Sequence, residues 1–168
     1  MDKNFQLNYS KLKPSMYNEE IRIKKAHKTI AVLSDYFKEI STLTLLDIGS
    51  STGIMTNEYA KHFKNVIGVD LDRTAVDYSI KQYRRENLKF ICFPIEEVDL
   101  PSSSFDIITC SQIYEHVPSD KKLMEEILRL LKPGGVCYFA AVNRFKVIEP
   151  HYRLPFLSYL PKKPQIFT

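Results

Sequence analysis

Tryptophan is absent from the 168 residues and glycine occurs only five times. No window approaches the ~18 uncharged apolar residues of a bilayer-crossing helix. The opening MDKNFQLNYSKLKPS has no apolar stretch, so it does not read as a secretory signal. There is no internal repeat and no low-complexity tract. The three cysteines, Cys92, Cys110 and Cys137, are far apart, and no C-x-x-C occurs. That spacing argues against a zinc site and suits free, buried thiols in a reducing cytoplasm. The four histidines form no H-x-x-x-H pair, so no metal is assigned. A charge excess is also missing from most of the chain: residues 1–143 carry 19 basic and 19 acidic side chains. The whole net charge of +4 comes from residues 144–168, so a globally basic nucleic-acid binder is not expected.

What is present has ordinary globular proportions, with 44% hydrophobic and 26% charged residues. The length suits a single domain over residues 1–168, with an irregular segment at 1–17 and a basic, aromatic tail at 144–168. After Asn18, a plausible N-cap, Ile21, Ala26, Ile30, Leu33 and Phe37 recur at roughly helical intervals. TLTLLDIG, NVIGVD, NLKFICF, SFDIITCS and VCYFAAVN are apolar runs of strand length. IMTNEYAKHF reads as a helix between the first two. Asp72 caps a helix with a stripe at Ala75, Val76, Ile80 and Tyr83, and Ser119 caps one lined by Leu123, Ile127 and Leu130. Lys132, Pro133, Gly134 and Gly135 give that last helix a stop. Strand–helix alternation of this kind predicts an α/β fold, a doubly wound, Rossmann-like and mostly parallel sheet with helices on both faces.

Ligands of such sheets bind at the carboxyl ends of the strands, which here are Asp47–Gly53 and Asp70. Gly49 and Gly53 bracket the loop GSSTG, where glycine permits positive φ and close backbone approach. The helix that follows offers unpaired N–H groups to an anion. Asp70 lies 21 residues after Gly49 and ends the next strand, where a carboxylate can accept bonds from two ribose hydroxyls. Loop and acid together form a nucleoside-binding constellation. No Gly-Lys-Ser/Thr follows, which excludes a P-loop, and the loop is not G-x-G-x-x-G. No Tyr-x-x-x-Lys stands on a usable helix after the loop.

These residues resemble the class I S-adenosylmethionine-dependent methyltransferases, in particular the small-molecule type related to ubiquinone and menaquinone biosynthesis enzymes. LLDIGSSTG resembles the family's first motif, and VIGVD its ribose-binding strand. LPSSSFDIITCSQIYEHV resembles the fourth strand with Glu-His-Val, and LRLLKPGGVCYFAAVN the fifth with its preceding turn. The resemblance covers roughly residues 20–143. It implies S-adenosylmethionine as cofactor, with Asp47, Gly49, Ser50, Ser51 and Gly53 about its methionine end and Asp70 and Leu71 at the ribose. Ile95 and Glu96 fall near the adenine, and Ser111 and Gln112 near the methyl group. Two departures stand out: Ser51 replaces the middle glycine, and Pro94 stands where an Asp often meets the adenine amino group.

The implied activity is in-line methyl transfer to a small-molecule acceptor in the cytoplasm. His116 is the candidate for a general base, and the displacement itself needs none. Two alternatives remain open, a cofactor-binding module without turnover and a nicotinamide-dependent oxidoreductase. The resemblance further implies seven strands in the order 3-2-1-4-5-7-6, of which the sequence shows five. Pro150, Pro155, Pro161 and Pro164 make the tail a poor source of two more. The expectation is either a shortened form of a longer methyltransferase or an edge covered by the tail or by a second copy, with turnover weaker than cofactor binding. The tail has three open readings: a segment packed on the sheet, a substrate lid, or a surface for anionic or lipid-like acceptors at a membrane.

Overall fold

The computed structural model describes residue 7 and residues 9–114 and 117–141. Five strands form one parallel sheet: β1 Thr44–Ile48, β2 Asn65–Asp70, β3 Leu88–Cys92, β4 Phe105–Ser111 and β5 Leu131–Ala140. Their order is β3-β2-β1-β4-β5. The order reverses between β1 and β4, and the carboxyl ends beside that switch point carry Asp47–Gly53 and Ser111.

Side chains alternate across the sheet and give it two cores. On one face, Leu46, Ile48, Val69, Ile108 and Cys110 pack with Leu123, Ile127 and Leu130 of helix α4, Asp120–Leu130. On the other, Leu45, Val66 and Ile107 pack with Ala26, Ile30 and Leu33 of α1, Glu19–Tyr36, and with Tyr59 of α2, Ile54–Tyr59. A further helix, α3, spans Arg73–Gln82. None of the helices among the described residues is long and apolar enough to cross a membrane.

The expected caps form. The side chains of Asn18, Asp72 and Ser119 accept from the N–H groups of Ile21, Ala75 and Lys122. The stripes need correction at two positions. Ile21 and Ile80 are 53% and 49% exposed, and the buried turns are completed by Thr29 and Ser79 instead. Residues 9–17 are not irregular either. Tyr9–Leu12 is a helical turn and Pro14–Tyr17 a 3-10 turn. Long-range bonds tie them down: Ser10 N–H donates to Asp72 at 2.6 Å, and the Thr52 hydroxyl donates to the Met16 carbonyl at 2.7 Å. The last strand starts at Leu131, five residues before the expected VCYFAAVN, and absorbs Pro133, Gly134 and Gly135 through a register shift against β4. The tail, residues 144–168, and the pair Glu115–His116 lie outside the described residues.

Candidate cofactor site

A cavity of about 600 Å³ opens over the carboxyl ends of β1, β2 and β4. Its floor is set by the turn after β1. Gly49 adopts φ +78°, and its N–H and that of Ser50 both donate to the Val69 carbonyl of β2. A Cβ on Gly49 would come within 2.0 Å of the Ile113 side-chain tip, which would have to move, and φ +78° strains any residue other than glycine there. Ser51, standing where the family carries glycine, still adopts φ +50°. Its N–H donates to Asp70 Oδ2 at 2.7 Å, which holds the loop against the tip of β2.

The other carboxylate oxygen of Asp70 accepts the Asp72 N–H at 2.8 Å. A carboxylate has about four acceptor positions, so two backbone donors leave room for a ligand's hydroxyls. Burial pushes the Asp70 pKa up despite those donors.

Asp47 sits differently. It is 6% exposed and does not line the cavity. β1 and β4 are in register at Asp47 and Thr109, so the Thr109 hydroxyl donates to it at 2.7 Å. The Thr56 hydroxyl of α2 donates to the other oxygen at 2.6 Å. Burial outweighs both bonds and pushes the Asp47 carboxyl up to about 6. The unfolded value is about 3.8, so the stabilising effect of the native proton is complete below pH 4 and lost as the pH rises through 6. That change amounts to roughly 3 kcal/mol. Relative to wild type, Asp47→Asn should therefore gain roughly 2–3 kcal/mol between pH 4 and pH 7.5, because it has no charge to bury. Urea titrations at the two pH values check this, and an equal difference at both would contradict it.

Of the residues expected from the sequence, Gly49, Ser51, Asp70, Leu71, Ile95, Glu96, Ser111 and Gln112 line the cavity together. Asp47, Ser50 and Gly53 stand behind it: Ser50 is buried under Gly68, and Gly53 begins α2 at φ +71°. His116 lies outside the described residues.

The sequence reading missed the cavity's roof. Tyr9, Met16, Arg22, Lys25, Lys28 and Thr29 reach it from the N-terminal turns and α1, and Phe93 and Tyr138 from the sheet. Arg22 matters most. Its guanidinium contacts the sulfurs of Met16 and Met55 and forms no ion pair among the described residues. Burial lowers its pKa, while Asp47 and Asp70 act in the opposite direction. A signal for it was present: Arg22 occupies the same helical stripe as the buried Ala26, Thr29 and Leu33, where a cation is costly unless a ligand meets it.

A carboxylate able to accept hydroxyls, a half-buried cation with no ion pair among the described residues and an apolar lining together fit an adenosyl amino acid such as S-adenosylmethionine. Comparison with known proteins agrees. A family model described as a methyltransferase domain matches residues 46–139. The ubiquinone biosynthesis O-methyltransferase of Coxiella burnetii is 30% identical over 149 residues, which cover 86% of this chain and 64% of that protein. The Acinetobacter baylyi protein of the same name is 29% identical over 128 residues, covering 70% of this chain and 52% of that one. The chain thus spans less than two thirds of the length of these curated relatives. Among solved structures, the YcgJ protein of Bacillus subtilis is 27% identical with a TM-score of 0.58, over 65% of this chain and 48% of that one. An S-adenosylmethionine-dependent methyltransferase from Mesorhizobium loti shares the fold at 22% identity and a TM-score of 0.55, over 62% of this chain and 49% of that one. The family match reaches from β1 to β5 and so includes every strand that builds the cavity, and the chain belongs to the methyltransferase domain family.

Proposed function

We propose that the chain binds S-adenosylmethionine in this cavity and transfers its methyl group to a small-molecule acceptor. The observation that carries the reading is that Asp70 and Arg22, which forms no ion pair among the described residues, line one cavity at the strand ends. In this reading Asp70 accepts the ribose hydroxyls and Arg22 pairs with the amino-acid carboxylate. The backbone of Gly49 and Ser51 approaches the methionine portion, and Leu71, Ile95, Glu96 and Phe93 enclose the adenine. Ser111 and Gln112, at the end of β4, border the space for the acceptor. Asp47 acts from behind, holding Thr56 of α2 and Thr109 of β4 in a fixed relation.

The bound cofactor supplies a methyl group on a positively charged sulfur, already activated for displacement. The protein's part is then alignment and exclusion of water, which can contribute about 7–11 kcal/mol to a barrier. Gln112 is consistent with such a role. It holds φ +61°, an unfavoured conformation for a residue with a side chain, through a 2.7 Å bond from its N–H to the Ala140 carbonyl of β5. His116 is assigned no step. The names of the relatives point to an oxygen atom of a quinone precursor as one acceptor class.

The test is incubation with methyl-labelled S-adenosylmethionine and a small-metabolite extract. Label is expected in extractable molecules. Label confined to protein or nucleic acid would overturn the small-molecule acceptor, and cofactor binding without any transfer would favour the module without turnover.

A further inference from the structure

The cavity is electrically lopsided. The strand order places its acids on one side, with Asp70 and Asp72 after β2 and Glu96 after β3. Asp70 and Asp72 are also held by backbone N–H groups of Ser51, Asp72, Ser10 and Ala75. The β4–β5 side presents Gln112, Ile113 and Tyr138, which are neutral and largely apolar. Helix α1 packs on the sheet face to which Tyr138 belongs, since Ala26, Ile30 and Leu33 share a core cluster with it and with Leu45, Val66 and Ile107. From this helix Lys25 and Lys28, neighbours one turn apart beside the buried Thr29, reach the cavity.

Neither lysine forms an ion pair among the described residues. The contrast within the helix is informative: Lys24, which does not line the cavity, pairs with Glu20 at 2.6 Å. Lys13, from the N-terminal turns, also lines the cavity. Resting on the proposed function, which assigns Arg22 to the cofactor's own carboxylate, these lysines are positive charge in excess of the cofactor's need, and Lys25 and Lys28 are the pair that stand together on one helix. We infer that the acceptor is an organic anion, its negative group held between Lys25 and Lys28 and its apolar body against Ile113 and Tyr138. Both lysines are exposed, so each contact is individually modest, and the pair also draws an anion toward the opening.

The test uses naphthalene-2-carboxylate and its uncharged amide, naphthalene-2-carboxamide, titrated by fluorescence into the full chain saturated with S-adenosylhomocysteine. The carboxylate should bind about ten-fold more tightly than the amide, and the preference should shrink as salt rises. In a Lys25→Gln/Lys28→Gln double variant the preference should fall below about two-fold, with S-adenosylhomocysteine affinity retained. Equal binding of the two probes, no binding of either, or a preference that survives the double variant would overturn the inference. The S-adenosylhomocysteine titration is read separately. Its failure would count against the cofactor reading, and the two probes would still be compared on the ligand-free chain.

Discussion

Arg22→Met should weaken S-adenosylhomocysteine binding by roughly 10- to 100-fold while leaving adenosine binding within about two-fold. Charge-assisted hydrogen bonds to a carboxylate contribute about 1.5–3 kcal/mol, which sets that range. Adenosine lacks the amino-acid end, so it has nothing to lose at this position. Methionine roughly preserves the volume among Met16 and Met55, and it removes a half-buried cation whose desolvation Asp47 and Asp70 offset only in part. The ligand-free variant should therefore be at least as stable as wild type. Calorimetric titration of both ligands decides the matter. Equal losses for the two would mean that the cavity has collapsed, and no loss for either would remove Arg22 from the site.

The opposite end of the ligand gives a different pattern. Asp70→Asn should reduce binding of both S-adenosylhomocysteine and adenosine by about 10- to 100-fold, because both carry the ribose. Here the protein itself also suffers. Asp70 accepts from Ser51 and Asp72 with its two oxygens, and asparagine can offer only one acceptor. One N–H is left unanswered, so stability should drop by about 1–3 kcal/mol. Calorimetry with both ligands and a urea titration check the two effects together. Unchanged affinity with lowered stability would make Asp70 a structural acid only. Together, Arg22→Met and Asp70→Asn distinguish the two ends of one ligand, which a general loss of folding does not.

The strands were legible because each is short, apolar and bounded by turn residues. β2 occupies the six residues of NVIGVD, Asn65–Asp70, and β1 and β4 fall inside their apolar runs. The caps were legible because Asn18, Asp72 and Ser119 each precede a periodic run by one residue. Ile21 and Ile80 were misjudged because an apolar residue at helical spacing need not face the core, and small polar residues at 29 and 79 fill those places. The start of β5 was missed because a sheet can absorb Pro133 and two glycines as an irregularity, with Leu131 already paired to Phe105.

The site divides along the same line. Residues on the strand-end loops follow directly from the order of the motifs, and eight of those expected converge on the cavity. Asp47, Ser50 and Gly53 belong to the same motif but shape the floor from behind, since side chains alternate along β1 and the turn then buries Ser50. The roof depends on where α1 and the N-terminal turns cross the strand ends. That placement is tertiary, set by the packing of Ala26, Ile30 and Leu33 and by the bonds from Ser10 and Thr52, and the only local trace of it is Arg22 on the buried stripe of α1. Arg22, Lys25 and Lys28 entered the site by that route.

The central claim is that this cavity is built for an S-adenosyl amino acid rather than for another nucleotide. Urea unfolding of the wild-type chain with S-adenosylhomocysteine and, separately, with NAD tests it most directly. At about 100 times its dissociation constant, S-adenosylhomocysteine should add about 2.7 kcal/mol to the stability, and NAD at the same concentration should add nothing. Stabilisation by NAD with none by S-adenosylhomocysteine would contradict the account.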